Sequence, residues 1–220
     1  MIYRFTVPNG KVRKGIKMKK RTAVFKRKTK ETDISVKLNI DGSGKAKIKT
    51  GIGLLDHLLE LFVFHGLFDL EITAKGDLKI DIHHTNEDIG IVLGEAFKKA
   101  LSDKKGIRRF GDASVPMEDV IGSAVIDLSG RGSLRFNKPS AYPAGFQDEK
   151  QDYSVNDAEH FFESFAKHLG MNLAISVDPA GPDLHATLEP VFKALGLALD
   201  EATKIDPRRK GIPSTKGVID

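Results

Sequence analysis

Apolar and polar residues alternate at Ala23 and Phe25, and again at Ile34, Val36, Leu38 and Ile40. A period of two marks half-buried strands, so strands are expected over 21–28 and 33–41. A third covers 45–50, beyond the turn Asp41-Gly42-Ser43-Gly44. A helix is expected over 55–65, with strands over 69–74 and near 79–82. Ile89, Val92, Leu93, Ala96, Phe97 and Ala100 then fall on one face at helical spacing, predicting a helix over 84–101. After a polar loop at 102–106 the scheme recurs. Strands are expected near 123–128 and 132–136, then a loop over 139–151, a helix over 156–169, a strand over 172–177 and a helix running to 202. Pro190 disfavours helical geometry in the residue before it, which puts the start of that last helix at about Glu189. The class is α+β, with mostly antiparallel sheets each covered by two helices.

The recurrence extends to individual residues. His83, His84 and Glu87 align with His185, Ala186 and Glu189. Asp56-His57 aligns with Glu159-His160, His65 with His168, and Leu93-Gly94-x-Ala96 with Leu195-Gly196-x-Ala198. Such self-similarity predicts two tandem half-domains, each carrying the same ligand set, with one histidine lost from the second. The halves are placed at 21–111 and 112–206, between an N-terminal extension (1–20) and a basic tail (207–220).

Composition narrows the class further. The 220 residues are 40% hydrophobic and 30% charged, enough to build a core without staples. Cysteine is absent, so neither disulfides nor thiolate chemistry enter. No apolar run approaches the roughly 18 residues of a membrane span, and the N-terminus lacks the apolar stretch of a secretory signal. A soluble, cytoplasmic protein without a membrane partner is expected. Lysine and arginine are dense between Lys11 and Lys30, and the net charge is +5. A nucleic-acid arm is one reading of that stretch. No stacking aromatics beyond Phe25 are interleaved, which favours a solvated strand face and no nucleic-acid partner.

The chemistry lies in the histidines. Residues three or four apart share a helix face, so His83 and His84 both converge on Glu87. Imidazole with carboxylate suits Mn, Fe, Co, Ni or Zn. The bland alternative is a polar helix N-terminus; the repeated set, with His57 and His160 matched, favours metal. His65 and His168 read as helix C-terminal histidines favoured by the dipole, and Phe161, Phe162 and Phe165 as core.

Taken in order, several stretches resemble the imidazoleglycerol-phosphate dehydratase family of histidine biosynthesis. They are Lys30-Glu31-Thr32, Thr50-Gly51-Ile52-Gly53, Leu55-Asp56-His57, His65-Gly66-Leu67-Phe68-Asp69, Gly76-Asp77 and His83-His84-Thr85-Asn86-Glu87-Asp88. Further matches are Gly106-Ile107-Arg108-Arg109-Phe110-Gly111, Asp127-Leu128-Ser129-Gly130-Arg131, His160-Phe161-Phe162, Phe192-Lys193-Ala194 and Pro213-Ser214-Thr215-Lys216-Gly217. The resemblance implies two duplicated halves of the ribosomal protein S5 domain 2-like fold. It implies dehydration of D-erythro-imidazole glycerol phosphate to imidazole acetol phosphate by a hydro-lyase. Two manganese ions per active site would be held by His57, His83, His84, Glu87, His160, His185 and Glu189, plus one more histidine, and the substrate ring would enter the metal sphere as an imidazolate. Glu31 would handle protons, with His57 and Glu189 as further catalytic positions. Arg109, Arg131, Lys193, Ser214 and Lys216 would hold the phosphate. The resemblance also implies a homo-oligomer, a 24-mer of octahedral symmetry in which different subunits share metals.

This chain departs from the family pattern at three places. Ala186 stands where the family has a second histidine, and a methyl group cannot ligate. Glu60-Leu61 replaces an Asp-Gln pair, and Ile82 an aspartate. Two readings follow: an active dehydratase that tolerates Ala186, or a catalytically impaired or non-catalytic relative that binds metal or the phosphate ligand.

Overall fold

A computed structural model describes residues 20–147, 149–150 and 152–219, so nearly all of the expected 1–20 extension lies outside the described residues. The first half comprises β1 (Thr22–Lys28), β2 (Thr32–Asn39), β3 (Ala46–Lys49), α1 (Gly53–Gly66), β4 (Asp69–Gly76) and α2 (His83–Leu101). The second comprises β5 (Phe110–Met117), β6 (Val120–Asp127), β7 (Ser133–Asn137), the short pair β8 (Glu149–Lys150) and β9 (Tyr153–Ser154), α3 (Val155–Leu169), β10 (Asn172–Asp178) and α4 (Leu184–Thr203).

The two four-stranded sheets share one topology. The first runs β1-β2-β4-β3 and the second β5-β6-β10-β7. In each, the last pair is parallel and the others antiparallel. Register follows burial. Ile34, Val36 and Leu38 of β2 lie opposite Ala74, Ile72 and Leu70 of β4, and all but Ala74 are buried. A slip of one residue would turn this face to solvent.

Helices form the middle layer between the sheets. α2 packs on β1 and β2, and α1 on β3; α4 packs on β5 and β6, and α3 on β7. Within the layer the partners come from opposite halves, α1 against α4 and α2 against α3. Phe62, Phe97 and Phe165 meet edge to face at the centre, with ring centroids 5.7–6.1 Å apart. Glycines permit the close approach. A Cβ on Gly94 would lie 2.8 Å from the His168 Cβ, and one on Gly196 would lie 2.4 Å from the Phe62 carbonyl oxygen.

Three expectations are corrected. Residues 78–80 form a turn rather than part of a strand near 79–82. Strand β5 lies outside the expected elements, because Phe110 is exposed and Pro116 interrupts its pattern; it joins the second sheet beside β6. The last helix begins at Leu184, not at Glu189. Asp183 caps it, its Oδ1 accepting from the Ala186 N–H at 2.8 Å, and a cap of this kind stabilises a helix by about 1 kcal/mol. Pro190 forfeits only the bond to the Ala186 carbonyl and packs against Gly122 of β6, where a Cβ would lie 2.5 Å from the proline backbone.

Candidate functional site

Two clusters of ligand-type groups sit at the two helix crossings. At the α1–α4 crossing, His57 Nε2 lies 3.1 Å from His185 Nε2. The Glu189 carboxylate is 2.9 Å from His185 and 3.7 Å from His57. At the α2–α3 crossing, His83 Nδ1 lies 3.1 Å from His160 Nδ1, and Glu87 is 3.6 Å from the other nitrogen of His83. The second cluster lines a cleft of about 270 Å³ with Glu163, Lys167 and His168. Ligand atoms of His57, His185 and Glu189 lie within 4.8 Å of one another, as do those of His83, His160 and Asp157.

Each half contributes a set of histidines and a glutamate, and each cluster takes one histidine from each half. His57 and His83 belong to one half yet serve different clusters, because helices pair across the halves. His185 and Glu189 share one helix face at an i,i+4 spacing, which the early start of α4 makes possible.

The donor chemistry fits a divalent cation. Two neutral imidazoles whose nitrogens face each other at 3.1 Å can share one N–H, or turn both lone pairs toward a shared cation. A hard or borderline cation suits such a mixed N/O set.

Around the first cluster the charges are arranged tightly. Lys193 Nζ lies 2.6 Å from Glu189, with both side chains mostly buried. Burial pushes the Glu189 carboxyl up, but the Lys193 bond and the charges of Lys193 and His185 outweigh it, and its pKa falls below the ordinary value. Glu189 stays ionised and able to ligate. His65, in the last turn of α1, is pushed down by burial and by Lys193, which keeps it neutral. In the equivalent place His168 pairs with Glu95 at 3.2 Å.

His84 belongs to neither cluster. Its Nδ1 lies 3.2 Å from Asp77 and 4.0 Å from Glu31, so the expected proton-handling carboxylate stands beside an imidazole. Its counterpart Ala186 faces Gly181, where a Cβ would lie 2.8 Å from the alanine methyl.

Of the expected phosphate residues, Arg109 and the tail meet directly. The Arg109 guanidinium donates to both Asp127 oxygens, at 2.6 and 3.0 Å, and to the Pro213 carbonyl at 3.0 Å. Ser214 and Lys216 follow in a turn closed by a bond from the Lys216 N–H to Ser214 Oγ at 3.2 Å. Lys193 is drawn instead to Glu189 of the first cluster. Arg131 stands on the β6–β7 connection, where its N–H donates to Ser129 Oγ at 3.3 Å.

Two residues of the site had no expected role. Asp157 approaches His83 and His160, while also accepting from the Ser154 N–H at 2.9 Å as the reciprocal half of a capping box. Its signal was the Ser-x-x-Asp spacing of a cap, which does not announce a ligand. Asp77 is the other, and its Gly-Asp pair reads locally as a turn.

Fold and site define an α+β protein of two like halves, with clusters that could hold a metal where the halves interlock. The family model for imidazoleglycerol-phosphate dehydratase matches residues 50–199. Imidazoleglycerol-phosphate dehydratase from Pelobacter propionicus is 51% identical over 201 residues, covering 90% of this chain and 99% of that protein. The enzyme of the same name from Caldanaerobacter subterraneus subsp. tengcongensis is 50% identical over 90% of this chain and 100% of its own length. Among solved structures, imidazoleglycerol-phosphate dehydratase from Pyrococcus furiosus in complex with (S)-C348 superposes with a TM-score of 0.71, at 35% identity over 88% of this chain and 99% of that one. The Staphylococcus aureus enzyme superposes with a TM-score of 0.70, at 31% identity over 84% of this chain and all of that one. The chain belongs to the imidazoleglycerol-phosphate dehydratase family, an enzyme family of histidine biosynthesis.

Proposed function

We propose that this chain dehydrates imidazole glycerol phosphate to imidazole acetol phosphate, using two manganese ions held at the helix crossings. The observation that carries this reading is the duplicated convergence of two imidazole nitrogens at 3.1 Å with a carboxylate in reach, Glu189 at one crossing and Asp157 at the other. His57, His185 and Glu189 would hold one ion, and His83 and His160 with Asp157 the other; Glu87 stands at the opposite nitrogen of His83. Manganese, when bound, supplies the positive charge that favours an anionic substrate ring and so eases loss of its neighbouring proton.

The chain's own residues do the rest. Glu31 is exposed and stands beside His84, where its carboxylate can take the carbon-bound proton and assist departure of the hydroxyl as water. Arg109, paired with Asp127 and bonded to the Pro213 carbonyl, places its positive charge beside the Ser214–Lys216 turn, a suitable setting for a phosphate dianion. Arg131 and Lys193 are assigned to the same anion. Three protein ligands leave coordination positions open at each cluster, and His84 lies outside both. That supports sharing of ligands between copies in a large homo-oligomer.

A relative without turnover is the less favoured reading, since dehydratases half identical to this chain match it along 90% of its length. The test is direct. Purified protein should convert imidazole glycerol phosphate with manganese added and stop when manganese is chelated. Folded, substrate-binding protein without turnover under any metal condition would refute the proposal and implicate Ala186.

A further inference from the structure

Asp77 immediately follows β4 and lies mostly buried, with 18% of its side chain exposed. Its Oδ2 is 3.2 Å from His84 Nδ1. Its Oδ1 is buried and has no hydrogen-bond partner among the described residues. A carboxylate taken out of water in this way is costly, and the bond to His84 is the compensation the site offers. The backbone enforces the approach. A Cβ on Gly76 would lie 1.9 Å from Thr85 Oγ1, so only glycine lets the end of β4 pass this close to the first turn of α2.

His83, next in sequence, is turned differently, with Nδ1 toward His160 and its other nitrogen toward Glu87. The second half supplies an internal comparison. After Asp178, the last residue of β10, the chain reads Pro179-Ala180-Gly181-Pro182 before the cap Asp183. No carboxylate occupies the place of Asp77 there, and Ala186 holds the place of His84. The imidazole and its carboxylate occur together in one half and are missing together from the other.

We propose that Asp77 is a positioning residue for His84. By accepting the Nδ1–H it sets the tautomer, leaving Nε2 as the lone-pair donor, and it holds the ring away from the two clusters within the chain so that Nε2 can ligate manganese. Carboxylate–histidine pairs of this kind orient ligands and raise their basicity. The inference rests on the proposal that His84 is a metal ligand.

The test is manganese binding by the full-length protein, read from the electron paramagnetic resonance signal of free Mn(II). Wild type, Asp77→Asn, His84→Ala and the double variant are compared, with metal-free melting temperatures measured alongside. Asparagine keeps the side-chain shape, so a purely structural role for Asp77 would leave metal binding intact. The expected result is a roughly 10- to 100-fold weakening of one class of sites in Asp77→Asn. His84→Ala should weaken the same class at least as much, and the double variant should be no weaker than His84→Ala alone. Wild-type binding by Asp77→Asn overturns the inference, as does an equal loss from Asp77→Asn in the His84→Ala background. Unchanged binding in His84→Ala removes the ligand role of His84 itself and the Asp77 inference with it, while turnover by wild type with manganese would still test the proposed activity separately. Asp77→Ala serves as the second variant should the amide fail to fold.

Discussion

Replacing Gly196 by alanine tests whether the helix crossing sets the metal cluster. The new Cβ would sit 2.4 Å from the Phe62 carbonyl oxygen and 3.1 Å from the Gly66 nitrogen, both backbone atoms of α1. Ordinary contact would require α4 and α1 to part by about 1 Å, since well-packed interiors offer no slack. Alanine gains about 1 kcal/mol over glycine in helix propensity. Overpacking costs typically about 1–3 kcal/mol, and the upper value applies where the obstacle is backbone rather than a side chain able to rotate. The net loss is about 2 kcal/mol, which for a chain of this size lowers the melting temperature by roughly 4–8 °C. The same separation pulls His57 from His185, so metal binding at the α1–α4 cluster should weaken while the α2–α3 cluster keeps its affinity. Calorimetry of the metal-free protein and a manganese titration read the two effects. Gly211→Ala is the control, because a Cβ there meets nothing within 4 Å. A Gly196→Ala protein that melts at or above wild type and binds manganese normally would refute the argument.

Other perturbations follow from the same structure. Ser154→Ala breaks the capping box of α3, in which Ser154 Oγ accepts from the Asp157 N–H at 3.2 Å, and should cost about 1 kcal/mol, seen as a lower urea midpoint at unchanged slope. Asp69→Asn should cost about 1–3 kcal/mol at neutral pH, because the carboxylate accepts from the Ser43 and Lys45 N–H groups and from Asn39. The Ser43 N–H leads in holding its pKa below the ordinary 3.8, against burial. A depressed folded value makes this stabilisation complete above 3.8 and lost as pH falls through the folded value, so the gap between wild type and variant in urea unfolding should shrink in acid; a gap constant from neutral pH down to pH ~2 would contradict the assignment. His160→Ala should abolish manganese binding at the α2–α3 cluster and spare the other, halving the stoichiometry measured by metal analysis. Arg109→Lys should raise KM for the phosphorylated substrate roughly tenfold or more with little change in kcat, because an ammonium cannot reproduce the fork that ties Asp127 to the Pro213 carbonyl and so holds the tail; an unchanged KM would remove Arg109 from the phosphate site.

The alternating run from Ile34 to Ile40 and the helical face from Ile89 to Ala100 determined their elements unaided, because burial on one face repeats with the period of the backbone itself. The duplicated ligand spacing likewise marked His57, His83, His160, His185, Glu87 and Glu189 as a set. Strand β5 escaped that reading because its exposed Phe110 and its Pro116 blur the alternation, and only pairing with β6 reveals it. The start of α4 escaped as well, since the penalty of Pro190 is visible in sequence while the Asp183 cap and the Gly122 contact that offset it are matters of fold. Which histidine meets which was beyond any local signal. His57 lies 26 positions before His83 and 128 before His185, yet it faces the distant one. The buried faces of the helices find their best partners across the two halves, where Gly94 and Gly196 let backbones approach. Spacing along the chain specifies which side chains share a helix face; the packing of one helix on another decides which faces share a site.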